Sequence, residues 1–362
     1  MIEKRAPGKL FVAGEYAVVE PGQPAVLVAV DRYITVRLTE SQDVGHIRSS
    51  EYGQAPLVWV REAGSESIVL EHRPADYVLS AISAVEELRA ELGTPPRYFD
   101  LDISSELDDA SGRKFGLGSS AAVTTATIAA LDEFYSLGLN RTQRFKLALL
   151  ATIEVAPTAS GGDLAASTFG GWIRFTSPDR EALRLHRAVH GLASAMSCSE
   201  WEGTGVTRLA PPDSLQMLVG WTGSPASTER LVSRVRVPGT ESARPYDSFT
   251  ADSRACVDAL VRSFEDDDGS ALEHIRDARR LLQRLGAASG SQIETDQLRT
   301  LCDIAEEYGA AAKPSGAGGG DCGIALSGVD LPTADILREW ERHGIRRLSL
   351  SPHPPEGGID DF

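Results

Sequence analysis

The most constraining stretch of this sequence is KFGLGSSAAVTTATIAAL at residues 114–131, where a glycine-serine turn at 116–120 opens without a spacer into a run of helical period that ends at Gly138. Glycines at Gly116 and Gly118 let the backbone N–H groups approach an anion closely, and the helix start behind them adds a favourable dipole. Phosphate is the natural ligand for such a turn. Ser119 and Ser120 add hydroxyls that can hydrogen-bond phosphate or ligate Mg²⁺, a cation that takes oxygen donors and often bridges substrate phosphates. A turn of this composition can also do no more than cap a helix, so the rest of the chain has to decide.

Two familiar phosphate loops do not fit. The Gly8-Lys9 pair is followed by Leu10 and lacks the earlier glycine of a G-x-x-x-x-G-K-[ST] loop. Gly116, Gly118 and Ala121 do satisfy G-x-G-x-x-A, but no strand abuts them and no strand-ending acid follows about twenty residues later, which leaves a dinucleotide fold as the weaker alternative.

Two further glycine-rich segments and one lysine bear on the question. KPSGAGGGDCGIALS at 313–327 places Gly316, Gly318, Gly319 and Gly320 between a helix and a strand, a composition suited to close backbone packing against a ligand or another loop. APTASGGDLAASTFGGWIRF at 156–175 sets Asp163 at a glycine-flanked turn, as a helix cap or an active-site carboxylate. Lys9 sits in PGKLFVAGEY beside apolar residues that should be buried; a partly buried lysine needs a carboxylate or phosphate partner, and Asp163 can supply one.

The chain has 362 residues, room for two domains of ordinary size. The first part reads as a β-rich hairpin or meander over 6–38, strands at 57–60 and 98–103, a helix from Tyr77 to Leu92, helices after 120 and over 141–155, and a strand at 171–176. An acidic, proline-containing stretch then suggests a boundary, dividing the chain into 1–178 and 179–362. The second part reads as a strand at 215–221, helices near 248–264, 268–287 and 293–309, then strand, helix and strand. The expected class is α+β, with a ferredoxin-like second domain.

A net charge of −16 argues against nucleic acid as a partner, and the absence of any apolar run near 20 residues argues against a membrane span. The same acidity disfavours small anions unless cations are concentrated locally, and there are only five lysines: Lys4, Lys9, Lys114, Lys146 and Lys313. Cys198, Cys256, Cys302 and Cys322 are scattered, which predicts neither disulfides nor a zinc site and suits a cytoplasmic location.

PGK at 7–9, GLGSSAA at 116–122 and GAGGG at 316–320, in this order, resemble the three signature motifs of the GHMP kinases. GKLFVAGEYAVVEPGQPA, KFGLGSS, LVGWTGSPAST at 218–228 and KPSGAGGGDCGIALS are together similar to the bacterial phosphomevalonate kinase branch, whereas mevalonate kinases usually carry G-E-H where this chain has Gly14-Glu15-Tyr16. The resemblance implies a ribosomal-protein-like α+β domain followed by a ferredoxin-like one, with a cleft between them.

It also implies ATP and Mg²⁺ as co-substrate and metal, and phosphorylation of 5-phosphomevalonate to 5-diphosphomevalonate. An alcohol-phosphorylating or non-catalytic relative remains the alternative. On that pattern Gly116, Leu117, Gly118, Ser119, Ser120 and Ala121 hold the ATP phosphates, with Ser119 and Ser120 near the metal. Lys9 neutralises the bridging region. A phosphate acceptor with its second pKa near about 6 needs little deprotonation, so Asp163 is expected to fix Lys9 rather than act as a base. Tyr16, Lys114, Ser160, Ser227, Ser315 and Ala317 are expected to contact the acceptor, and Glu15 to be a buried hydrogen-bond partner.

Overall fold

A computed structural model describes residues 1–53, 55–62, 68–70, 76–224, 231–232, 235, 243–267 and 269–359. Its first sheet contains β1 (Ile2–Ala13), β2 (Pro24–Ser41), β3 (Gly45–Ser49), β4 (Leu57–Arg61), β5 (Ile68–Leu70), β6 (Tyr98–Ser105), β7 (Trp172–Thr176) and β8 (Gly205–Leu209). With it go the helices α1 (Tyr77–Glu91), α2 (Ser119–Tyr135), α3 (Arg141–Val155), α4 (Gly162–Phe169), α5 (Arg180–His190) and α6 (Leu192–Ala195). The second sheet has β9 (Leu215–Trp221), β10 (Ala311–Pro314), β11 (Cys322–Gly328) and β12 (Arg346–Leu348), with α7 (Ala243–Asp266), α8 (Ala271–Ser289), α9 (Asp296–Glu307) and α10 (Ala334–Arg342).

The first sheet is organised around β2. This strand runs unbroken for 18 residues, pairing antiparallel with β1 along its length, with β7 through Pro24–Val28 and with β6 through Ile34–Ser41. The β1 sequence shows why one half of the strand differs from the other. Exposure alternates over its first residues and then ceases from Ala6 onward, where α2 and α4 pack against it and α7 and α8 also touch it. Lys9 belongs to that enclosed half.

Helix α2 is the central helix of the first layer, in contact with β1, β2, α1, α3 and α4. It is apolar around most of its circumference, as a helix buried on several sides must be. Its alanines allow the close approach: Ala121, Ala122, Ala126 and Ala130 are all buried. Helix α1 starts where the Asp76 side chain accepts from Leu79 N at 2.8 Å, and α3 starts on a reciprocal cap between Asn140 and Gln143.

The second sheet has the order β10-β11-β9-β12 with every neighbouring pair antiparallel, the ferredoxin-like arrangement expected from the sequence. The first sheet, however, extends past the expected boundary at 178/179. The stretch read there as a boundary folds as α5, capped by Asp179, and β8 pairs with β7 as far as Leu209. The C-terminal segment returns as well: Pro352 bridges Val30, and Tyr33 Oη lies 3.0 Å from His353 Nδ1. One continuous core reaches from the first sheet into α7, α8 and the near face of the second sheet, and a smaller core around Leu301 and Trp340 fills its far face.

Candidate active site

The glycine-serine turn lies against β1. Lys9 N donates to Leu117 O at 2.9 Å, and Gly118 adopts a left-handed φ of 78° as the N-cap of α2. A Cβ at Gly118 would come 2.7 Å from Lys9 Cε, so glycine is required both by conformation and by the passing lysine stem. Phe115 anchors the turn. Its buried ring meets Trp221 of β9 edge-on at 5.1 Å, and its carbonyl accepts from Cys322 Sγ of β11, tying the turn to the second sheet.

Lys9 is only 5% exposed, and its Nζ lies 3.2 Å from Asp163 Oδ2. Asp163 stands in the first turn of α4, whose own N-cap, Gly161, is left-handed with φ 89°. Ser160 accepts from Gly162 N at 3.2 Å and so shapes the same turn. The lysine-carboxylate pair thus lies close to the beginnings of α2 and α4, where the helix dipoles favour negative charge.

Two cavities meet at this pair. The first, of about 420 Å³, is lined by Tyr16, Thr152, Ser160, Gly161, Gly316 and Ala317 among others. The second, of about 460 Å³, is lined by Ser49–Tyr52, Asp108, Lys114, the 116–120 turn and Asp321. Lys9, Asp163, Ser120 and Tyr77 border both. Small molecules seated in the two cavities therefore face each other across Lys9 and Asp163.

Most of the expected residues come together here, with three departures. Lys114, expected to group with Tyr16, Ser160 and Ala317, lines the second cavity beside the 116–120 turn and pairs with Glu51 at 2.6 Å. Ser315, also expected to touch the acceptor, has its hydroxyl engaged inside the protein: it accepts from Phe11 N at 2.9 Å and donates to Phe11 O at 3.0 Å. It is a strut between β1 and the glycine-rich 316–320 loop. Ser227 lies outside the described residues.

The 316–320 loop owes its glycines mainly to the protein itself. A Cβ at Gly318 would meet Ile293 O at 2.1 Å, and one at Gly320 would meet Ser224 O at 2.1 Å. Gly319 N donates to Ile293 O at 2.8 Å. Gly316 and Ala317 face the first cavity, and Tyr16 Oη donates to Ala317 O. Burial, assisted by the nearby Glu15 charge, raises the Tyr16 pKa above its usual value and keeps the phenol a donor.

Several residues at the site carry no local sequence signal. Tyr77 and Thr152 emerge from helices, and Thr152 Oγ1 is a buried hydroxyl without a hydrogen-bond partner. Asp321, left-handed at φ 51°, packs so closely on Gly116 that a Cβ there would meet its Cγ at 2.6 Å. Glu15, expected to be a buried hydrogen-bond partner, is buried on the turn after β1, and the partner that the sequence did not name is Lys313 on β10.

The family models for the GHMP kinases N terminal domain and the GHMP kinases C terminal match residues 76–171 and 254–345. A phosphomevalonate kinase of Streptomyces sp. (strain CL190) is 45% identical, with 97% of each chain covered. A mevalonate kinase of Archaeoglobus fulgidus is 30% identical over 94% of this chain and 98% of its own. Among solved structures, the Lin0012 protein of Listeria innocua superposes with a TM-score of 0.88 at 35% identity, covering 98% of this chain and 99% of its own. The Streptococcus pneumoniae phosphomevalonate kinase in complex with phosphomevalonate and AMPPNP superposes with a TM-score of 0.84 at 29% identity, covering 97% and 100%. The three motifs, the two-domain α+β architecture, the two family-model matches and relatives aligned over nearly the whole chain make the protein a member of the GHMP kinase family.

Proposed function

We propose that this chain transfers the γ-phosphoryl group of ATP to the phosphate of 5-phosphomevalonate, giving 5-diphosphomevalonate and ADP, with Mg²⁺ bound to the nucleotide. The observation that carries this reading is the meeting of the two cavities at Lys9 and Asp163. The 45% identity to the Streptomyces phosphomevalonate kinase supplies the acceptor.

ATP occupies the second cavity, its β- and γ-phosphates against the N–H groups of Ser119, Ser120 and Ala121 at the start of α2. The acceptor occupies the first, within reach of Ser160, Tyr16 and the Gly316-Ala317 backbone. Lys114 accompanies the nucleotide rather than the acceptor. An oxygen of the acceptor phosphate attacks the γ-phosphorus, a new P–O bond forms, and the bond to the β-γ bridging oxygen breaks with that electron pair leaving on ADP.

The acceptor oxygen is already ionised near neutral pH, so the reaction needs alignment and charge compensation more than a base. Lys9 is the cationic side chain among the described residues lining the first cavity, and Asp163 holds its ammonium on the line between donor and acceptor. The Ser119 and Ser120 hydroxyls and the partly open Asp163 carboxylate are hard oxygen donors of the kind Mg²⁺ takes, and Ser119 and Ser120 would hold it. When bound, the ion offsets phosphate charge. The four cysteines are free, which suits a reducing cytoplasm.

ADP release is to be followed with 5-phosphomevalonate, mevalonate, galactose and homoserine, and the product examined by phosphorus NMR. Turnover with 5-phosphomevalonate and a phosphoanhydride signal are expected. Turnover confined to mevalonate, with only a phosphate ester formed, would refute the assignment.

A further inference from the structure

Away from both cavities, α5 and the short turn that follows α6 bring together an imidazole, a thiol and a carboxylate. A His186 ring nitrogen, Cys198 Sγ and a Glu200 carboxylate oxygen all lie within 4.8 Å of one another. We propose that these three side chains form a binding site for one Zn²⁺ ion, a site separate from the magnesium chemistry of the kinase reaction.

The donor set selects the metal. Thiolate and imidazole suit Zn²⁺, a borderline-soft ion, whereas Mg²⁺ takes oxygen donors in a near-ideal octahedron. A thiolate and a carboxylate together offset both charges of the ion. Bond lengths of about 2.0–2.3 Å place neighbouring ligands of a tetrahedral zinc about 3.3–3.8 Å apart. His186 Nδ1 and Glu200 Oε1 already stand 3.3 Å apart, so only the sulfur has to move inward.

The surroundings permit that movement and orient the ring. Ser194 Oγ lies 3.0 Å from His186 Nε2; with Nε2–H donating to it, Nδ1 presents its lone pair to the metal, as an outer hydrogen bond does for most ligating histidines. Cys198 Sγ currently donates to Ala195 O at 3.2 Å, but that carbonyl also accepts from the Trp201 indole at 2.8 Å. Release of the thiol therefore orphans no carbonyl, and the buried Trp201, packed on Phe145, keeps the turn in place. His190, one helical turn beyond, packs on the His186 ring with centroids 4.6 Å apart, and the fourth position falls to water. The opposing charge is Lys146 of α3, which also interacts with the Cys198 sulfur and costs affinity for the dication.

None of the three ligands lines either cavity, so loss of the site should leave the kinase reaction intact. The test uses the full chain, stripped with chelator and titrated with Co²⁺ as a spectroscopic probe, then with Zn²⁺. One Co²⁺ per chain is expected, with a thiolate-to-cobalt charge-transfer band and tetrahedral ligand-field bands that Zn²⁺ abolishes. Cys198→Ser should remove the charge-transfer band, and Ser194→Ala should weaken binding by about 10–100-fold. Thermal melting and turnover of each variant establish that it is folded. Because Cys256, Cys302 and Cys322 are buried elsewhere, a band that survives in Cys198→Ser would overturn the proposal. A folded wild-type chain with no charge-transfer band would overturn it as well.

Discussion

The Lys313 ammonium and the Glu15 carboxylate form an ion pair from which water is excluded, joining a strand of the second sheet to the turn that follows β1. Lys313 is 0% exposed, and its ammonium also donates to Pro314 O at 2.7 Å. Removing one partner of such a pair strands a buried charge and typically costs about 3–5 kcal/mol. Lys313→Met and Glu15→Leu should each lower stability by about that amount in urea unfolding. The double variant should lose much less than their sum, because neither charge is then left uncompensated. Additive losses would show that the two side chains act independently.

Gly118→Ala should act on catalysis through Lys9. The new methyl would crowd Lys9 Cε at 2.7 Å, in a backbone with φ 78°. Displacement of a positioned catalytic group by about 1 Å can cost on the order of 100-fold in rate. Steady-state kinetics should show that loss in kcat, with a smaller change in KM. Gly138→Ala is the matched control: its φ is 71°, but a Cβ there meets nothing within 4 Å, so kcat should stay close to that of the parent.

Lys9→Met should depress kcat far more than it raises the KM for ATP, since its charge is needed where the phosphates of donor and acceptor approach. Asp163→Asn should also lower kcat, by freeing the Lys9 ammonium. If Asp163 only fixes Lys9, adding Asp163→Asn to Lys9→Met should bring little further loss. Weaker ATP binding with a normal kcat in Lys9→Met would remove Lys9 from the transfer step.

Alkaline pH should destabilise the fold before it titrates these phenols. Burial raises the pKa of Tyr16, Tyr52 and Tyr135, each also influenced by a neighbouring carboxylate, above the ordinary value of 10.0. A phenol whose pKa is higher in the folded state contributes stability that is complete below the unfolded pKa and is lost as pH rises toward the folded one. Cys302 and Cys322, raised by burial from 9.0, act in the same direction. The urea midpoint should therefore fall between pH 8 and about 10.5; an unchanged midpoint would contradict the assigned directions.

The signals that sequence reading recovered were local ones. GLGSS announces its turn because glycine conformation and serine chemistry act within a few residues, and the ferredoxin-like order followed from the succession of short strands and amphipathic helices. What escaped depended on distant contacts. Glu15 meets Lys313 across 298 positions, and Ser315 meets Phe11 across 304. The lysine in KFGLGSS reads as an acceptor contact until the turn is seen to line the second cavity, where Glu51 pairs with it. The hairpin or meander read over 6–38 is β1 with β2, and β2 runs on through Asp31 and Arg32 with partners from β1 on either side of that point. Helix α5 was hidden for another reason: its acidic, proline-preceded sequence reads as a domain boundary until Asp179 is seen to cap it.

Glu15 with Lys313, Phe11 with Ser315, and Tyr16 with Ala317 are three stitches from one short stretch of chain into one edge of the second domain. A seam sewn at three neighbouring points resists shear and twist alike. The two halves of this molecule should consequently behave under thermal load as one cooperative body, and a cut that separated them would leave each with a torn polar edge rather than a finished surface.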